Sequence, residues 1–301
     1  MQDLLTVEAT QNYLSVNSID EALTALAIGP RLILAGGTDV FPRLQDRQLT
    51  GHVLDISGIS ELSEITSSAE YWHIGATVSW RDISDANLPP AFDGLQAAAR
   101  EVGSVQIQNR ATLVGNLCNA SPAADGVPPL LTLDAEVELS SKSGVRYLML
   151  TSFILGNRKT AICADEMVTG VRIPKLSAAG NSGFIKLGTR SYMVISISMA
   201  AIRIETDKAG VIVNAAVSIG ACSEVAQRLL LLEKELIGRS LEKAVDQIDS
   251  CQFVNLTPLD DVRATAAYRH NASIEIVRRL LLAQVTDFEN SVMTDARIAV
   301  P

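Results

Sequence analysis

Clustered cysteines are what this sequence most plainly lacks. It has four, Cys118, Cys163, Cys222 and Cys251, and no two of them form a C-x-x-C pair. Iron–sulfur clusters are usually held by grouped thiolates, so none is expected here, and the cysteines read as reduced, partly buried thiols. The three histidines, His52, His73 and His270, show no ligand spacing. No metal is predicted for the chain. Basic residues are in deficit, 25 against 34 acidic ones, for a formal charge of −9. With no Lys/Arg cluster, such a surface repels phosphate backbones and anionic lipid, which sets aside nucleic acid and membrane surfaces as main partners. Long apolar runs are missing too. Residues 229–232 and the serine-interrupted residues 192–204 are the longest, short of the roughly 20 residues a membrane helix needs. Residues 1–10 carry no basic segment leading into an apolar one. No secretory signal is read there, and a soluble, cytoplasmic protein is expected. There is no G-x-S-x-G, H-E-x-x-H or Walker A motif, no nucleophile-and-base set, and hence no predicted catalytic residue. Repeats and low-complexity tracts are absent.

What is present suits two cores. The chain has 301 residues, 48 % of them apolar and 20 % charged. Ser18 and Glu21 have capping-box spacing, and Ile19, Ala22, Leu23, Leu26 and Ala27 then share a helical face that Gly29-Pro30 ends. An apolar strand at 32–35, a short amphipathic segment capped by Thr38 or Asp39, and a strand at 53–56 complete a small β-α-β-α-β unit. A second block, about 71–174, offers strands at 72–75, 137–139, 145–148 and 167–173. It also has a helical turn at 78–83, a helix at 95–102, a short helix from Pro128-Pro129 to Leu133, and a long polar stretch at 103–125. Residues 177–183 make the best linker. Beyond it come three strands (183–187, 195–205, 211–219), a hairpin turn at 207–210, and helices at 225–237, 241–248 and 264–288. The residues alone give a two-domain α+β protein.

Three places could carry chemistry. In Ala35-Gly36-Gly37-Thr38-Asp39 a strand runs into two glycines and then into N-cap residues. Backbone amides can approach an anion closely there, and a helix start adds unpaired donors. On this piece alone a plain Gly-Gly turn is the commoner reading. Thr112-Leu113-Val114-Gly115-Asn116, followed by Asp125, lies in a stretch too long for an ordinary connection, so either a functional loop or an ordered surface loop fits. Two such loops could hold the two phosphates of a dinucleotide if they meet. Lys186 lies on an apolar strand, where it must snorkel or find a partner. A solvated edge lysine is as good a reading as a ligand contact.

Taken together, these stretches resemble the FAD-binding medium subunit of molybdenum hydroxylases, the xanthine dehydrogenase family. The likeness runs from about residue 22 to residue 282. LILAGGTDV (32–40) resembles the first FAD loop, HIGATVSWRDI (73–83) the strand and turn that follow, and VGSVQIQNRATLVGNLCNASPAADGVPPLLTLDAEVEL (102–139) the second FAD loop. SFILGNRKT, DEMVTGVRIP, GFIKLGTR and AYR follow in the family's order. The second loop commonly reads R-N-x-G-T-I-G-G-N. Here Gln108 replaces the Arg, Ala111 a Gly, and Val114 the first loop Gly. If position 114 needs positive φ, the β-branched side chain is penalised.

The resemblance implies a two-part FAD-binding domain of the vanillyl-alcohol-oxidase type at 1–176, with subdomains of about 1–60 and 61–176. A smaller C-terminal α+β domain, a three-stranded sheet with helices, would occupy 181–289. It implies that Ile33, Leu34, Ala35, Gly36, Gly37, Thr38, Asp39 and Val40, with Thr112, Leu113, Val114, Gly115 and Asn116, line the adenine–pyrophosphate–ribityl path. Val102, Asp125, Val168 and Lys186 would lie along the flavin. It further implies a large molybdopterin-binding partner and a small partner with two two-iron clusters, and it allows a dimer of heterotrimers. The implied function is electron transfer through FAD to a terminal acceptor. A flavin-free scaffold of the same complex is the alternative, with Val114 as its motive.

Overall fold

The computed structural model describes residues 12–298 except Asp46, Gln48, Thr50 and Tyr192, and along 290–298 only the helical backbone. The expectation of no leader concerns residues 1–10, which lie outside the described residues, as does Tyr192 of the second apolar stretch. The chain forms two compact units whose segments alternate along the sequence. The first is Met1–Ala86, Val102–Ser121 and Asp134–Lys175, and the second is Asn87–Glu101, Pro122–Leu133 and Leu176–Pro301.

The first unit holds a parallel three-stranded sheet of β1 (Tyr13–Ser15), β2 (Leu32–Leu34) and β3 (Val53–Asp55), in the order β1-β3-β2. Helix Ile19–Ile28 makes the crossover, as its capping signal predicts. The Ser18 hydroxyl accepts from the Glu21 amide at 3.3 Å, and the Glu21 carboxylate accepts from the Asn17 amide at 2.9 Å. Its buried face is Ala22, Leu23, Ala25 and Leu26; Ala27, expected inside, is exposed.

The second sheet of this unit is antiparallel and five-stranded. It contains β4 (Ile65–Ser67), β5 (Tyr71–Gly75), β6 (Glu136–Ser141), β7 (Gly144–Met149) and β10 (Met167–Pro174), in the order β4-β5-β10-β6-β7. Alternation buries Ile74, Val137, Leu139, Val171 and Ile173 on one face. A register shift between Val168 and Gly170 leaves Thr169 as a bulge residue. β8 (Ile154–Gly156) and β9 (Lys159–Thr160) form a small hairpin. The turn expected at 78–83 is helix Trp80–Asp85, started by a capping box between Ser79 and Asp82. The polar stretch 103–125, expected to be irregular, contains helices Val105–Gln108 and Leu113–Asn119. Composition hid them because each is only one to two turns long.

The second unit is an antiparallel sheet of β11 (Asn181–Leu187), β12 (Ser198–Thr206), β13 (Ile212–Gly220) and the two-residue β14 (Gln227–Arg228), in that order. The three long strands match expectation. β14 takes the start of the expected 225–237 helix, which instead runs Leu230–Leu236. Arg228 explains the change: it pairs with Glu233 at 2.5 Å and donates to the Leu131 carbonyl at 2.9 Å, so this segment is drawn to the sheet edge. One sheet face packs Ile202, Ile204, Val217 and Ile219 against Leu232, Phe253, Val277 and Leu281, with helix Ala266–Ile298 across it. The other face presses Phe184, Met199 and Ala201 on Ala98 of helix Asp93–Glu101. Gly94 makes that approach possible, because a Cβ there would sit 3.0 Å from the Gly183 carbonyl oxygen.

Candidate functional site

Within the first unit, a cleft of about 350 Å³ is lined by Ala35, Gly36, Ser57, Ser63, Thr77, Ser79, Arg81, Asp82, Asn109, Arg110 and Thr112. Both glycine-bearing loops reach it. β2 ends at Leu34 and the chain turns through Gly37, whose φ is +73°, into helix Val40–Leu44. A Cβ on Gly36 would lie 1.9 Å from the Arg110 carbonyl oxygen, so only glycine lets the first loop rest on the second. The second loop is pinned from its other side. Trp80 donates its amide to the Ala111 carbonyl at 3.0 Å, and Leu113 donates to the Val78 carbonyl at 3.2 Å. Thr112 caps helix Leu113–Asn119 by accepting from the Gly115 amide at 3.0 Å.

The helices that follow the loops are short, five and seven residues, so helix dipoles add little. Asp39 is the N-cap of the first but makes no side-chain capping bond. The donors are backbone amides. Among the described residues, those of Gly36, Gly37, Thr38, Asp39 and Val114 meet no acceptor. Unpaired backbone donors around a cleft are a ready anion cradle, and they fit a dinucleotide diphosphate. The Thr77 hydroxyl oxygen in the cleft wall is likewise buried without a partner. Val114 needs no positive φ. It is a helical residue, 4 % exposed, and the expected penalty does not arise.

Charges at the rim are mostly engaged. Arg81 pairs with Asp85 at 2.6 Å, and Asp82 accepts from the Ser79 amide and hydroxyl at 2.9 and 2.7 Å. Burial pushes the neighbouring Asp55 carboxyl up, but hydrogen bonds from Tyr13 and Ser57 and the charge of Arg110 outweigh it and hold it below its ordinary value.

Of the residues expected along FAD, Ala35, Gly36 and Thr112 line the cleft itself. Ile33 and Leu34 form its approach in β2, Gly37, Thr38 and Asp39 the turn, and Val40 the next helix start. Leu113, Val114, Gly115 and Asn116 lie in the second helix. Val102 accepts from the Gln108 side chain at 3.1 Å, and Val168 sits in β10 beside the bulge. Asp125 and Lys186 belong to the second unit, where they pair with each other at 2.8 Å with side chains 10 % and 5 % exposed. Lys186 is therefore not a solvated edge lysine. It also reaches the Glu101 carbonyl at 3.5 Å, while the Ser196 hydroxyl donates to Asp125 at 3.3 Å. Burial raises the Asp125 carboxyl pKa, against the pull of Lys186. Sequence reasoning did not name Ser57, Ser63, Thr77, Ser79, Arg81, Asp82, Asn109 or Arg110 as site residues. Thr77, Ser79, Arg81 and Asp82 lie in the 73–83 stretch and Asn109 and Arg110 in the 102–139 stretch, both of which carried the resemblance; the fold alone brings in Ser57 and Ser63.

Two family patterns match the chain: the FAD binding domain in molybdopterin dehydrogenase over residues 8–176, and the CO dehydrogenase flavoprotein C-terminal domain over residues 184–285. The chain belongs to the molybdenum hydroxylase family, as an FAD-binding medium subunit. Similar proteins include the nicotinate dehydrogenase FAD-subunit of Eubacterium barkeri, 36 % identical over 70 % of this chain and 73 % of that one. The glyceraldehyde dehydrogenase medium chain of Sulfolobus acidocaldarius is 29 % identical over 90 % of this chain and 95 % of its own. Among solved structures, quinoline 2-oxidoreductase from Pseudomonas putida 86 superposes with a TM-score of 0.82, at 26 % identity over 92 % of this chain and 97 % of that one. The FAD-binding pattern here covers the small parallel sheet and the five-stranded antiparallel one. Among the described residues no helix is long and apolar enough to cross a membrane, and no three metal-ligating side chains gather.

Proposed function

We propose that this subunit is the electron relay of its complex. A large partner with a molybdenum–pterin centre hydroxylates the substrate, and a small partner with two two-iron clusters delivers the electrons. FAD, when bound here, exchanges those electrons with a terminal acceptor. One observation carries the reading: two glycine-bearing loops meet at one cleft, and five of their amides are unpaired among the described residues.

The chain's own work is binding and electrostatic tuning. The amides of Gly36, Gly37, Thr38, Asp39 and Val114 would donate to the diphosphate. The Thr112–Gly115 cap fixes the second loop, and the Gly36 contact fixes the first against it. We extend the assignment to Ile33, Leu34, Val40, Val102 and Val168 and, on the resemblance alone, to Asp125 and Lys186 of the second unit. No residue is assigned as acid, base or nucleophile. A cytoplasmic heterotrimer, alone or as a dimer of heterotrimers, completes the proposal. The scaffold alternative rested on Val114; helical geometry there carries no positive-φ penalty, which leaves only its added Cβ beside the loop as the motive. The test is the absorption spectrum of the purified complex: a flavin band supports the relay, and iron–sulfur bands without flavin support the scaffold.

A further inference from the structure

Arg110 lies in the second loop, two residues after Gln108. Gln108 is turned to the Val102 carbonyl at 3.1 Å, so position 108 brings no cation to the loop. Arg110 does line the cleft, and its own carbonyl is the atom on which Gly36 rests. Among the described residues its guanidinium makes no hydrogen bond or ion pair. The one electrostatic relation it shows is with Asp55, whose carboxylate already accepts from Tyr13 at 2.5 Å and from the Ser57 amide at 2.9 Å. The other rim cation, Arg81, is bound to Asp85, and the rim carboxylate Asp82 is bound by Ser79. The cleft thus presents unpaired amides and an uncommitted guanidinium, with its acidic groups occupied. A planar guanidinium matches a phosphate with two parallel hydrogen bonds, and backbone donors complete the set.

We infer that Arg110 is a phosphate-binding side chain that takes the diphosphate of FAD. The inference rests on the FAD reading above. Arg110→Gln, Arg110→Lys and, as a control for loss of a surface charge, Arg279→Gln, whose partner is Glu275, are made in the whole complex. FAD is removed, and its dissociation constant is measured by fluorescence titration at low and high salt. Arg110→Gln should weaken FAD binding roughly tenfold at low salt, the worth of a charge-assisted hydrogen bond, and the loss should shrink as salt screens it. Arg110→Lys should fall between, and Arg279→Gln should change affinity less than about twofold. Thermal midpoints of the flavin-free complexes should differ only slightly, since the one relation of the guanidinium within the protein is its charge on Asp55. Equal FAD affinity in Arg110→Gln and the parent overturns the inference and leaves the FAD reading standing. So does an unchanged affinity with a raised KM for a nucleotide acceptor, which would give the guanidinium to a different phosphate. A parent complex that binds no FAD overturns both.

Discussion

A single methyl group at Gly36 would place a carbon 1.9 Å from the Arg110 carbonyl oxygen, far inside van der Waals contact, and backbone is what it would meet. Gly36→Ala should therefore separate the two loops, at a cost of about 1–3 kcal/mol of overpacking. The flavin-to-protein ratio of the purified complex should drop well below that of the parent. Gly37→Val should do the same for two reasons: φ is +73°, and the new Cβ would lie 2.6 Å from the Phe41 ring. Full flavin occupancy in both variants would remove the first loop from the cofactor site. At Lys186 the residue scale gives a different expectation from a lone cation. Its charge is balanced by Asp125, and both side chains are buried. Lys186→Met leaves a carboxylate buried without its counter-charge and should cost about 3–5 kcal/mol. The double change Lys186→Met with Asp125→Leu should recover most of that in denaturant unfolding. A double variant as unstable as the single one would mean the loss came from packing. The glycines were legible only through the joint order of the motifs, since a plain Gly-Gly turn is the commoner reading of that piece alone. The Asp125 partner was not, since 61 residues separate it from Lys186. Nor was the close approach of Gly36 to Arg110.

At the scale of elements, capping chemistry decided what could be read. Ser18 with Glu21 announced helix Ile19–Ile28 because the signal is followed by ten helical residues. Ser104 and Thr112 introduce helices of four and seven residues in a polar stretch, where apolar periodicity has no length in which to show. β14 was hidden for another reason: its place depends on Arg228 finding Glu233 and the Leu131 carbonyl, which are tertiary events. The long C-terminal helix is anchored near its start by Arg269. Its guanidinium donates to the Ile197 carbonyl at 2.6 Å and the Ala221 carbonyl at 3.2 Å, and pairs with Asp261 at 2.7 Å. The Arg263 amide and side chain and Arg269 hold the Asp261 carboxyl down at about 2. A carboxyl with a depressed folded pKa contributes stability that is complete above its unfolded value of 3.8 and is lost as pH falls through about 2. Asp261→Asn should lower stability at neutral pH modestly, because Asp261 is partly solvated, and should flatten the stability curve between about pH 4 and 2. Parallel pH curves for parent and variant would show that Asp261 does not contribute to acid unfolding.

For the whole molecule, the order of the chain and the order of the units differ. Segments Asn87–Glu101 and Pro122–Leu133 fall inside the stretch matched by the FAD-binding pattern, yet they pack with the C-terminal sheet. Sequence motifs follow chain order and could not reveal that exchange. The apolar contacts of Ala98 with Phe184, Met199 and Ala201 explain it for the first segment, and the bond from Arg228 to the Leu131 carbonyl ties in the second. The overall class, an FAD-binding part followed by a flavoprotein C-terminal part, was legible from the joint order of modest motifs, and both patterns match. Under the proposed relay, the absence of clustered cysteines has its consequence at this scale, because the electrons would then come from another chain. The subunit should co-purify with two others, one with iron–sulfur clusters and one with the molybdenum centre. An active hydroxylase made of this polypeptide alone would refute that. The central claim, however, is that this chain holds FAD, and it is most directly tested by denaturing the purified complex and identifying the released flavin by chromatography. The account predicts FAD, about one per copy of this subunit, and its loss in Gly36→Ala. A complex with its metal centres intact but with no flavin, or with FMN in its place, would contradict it.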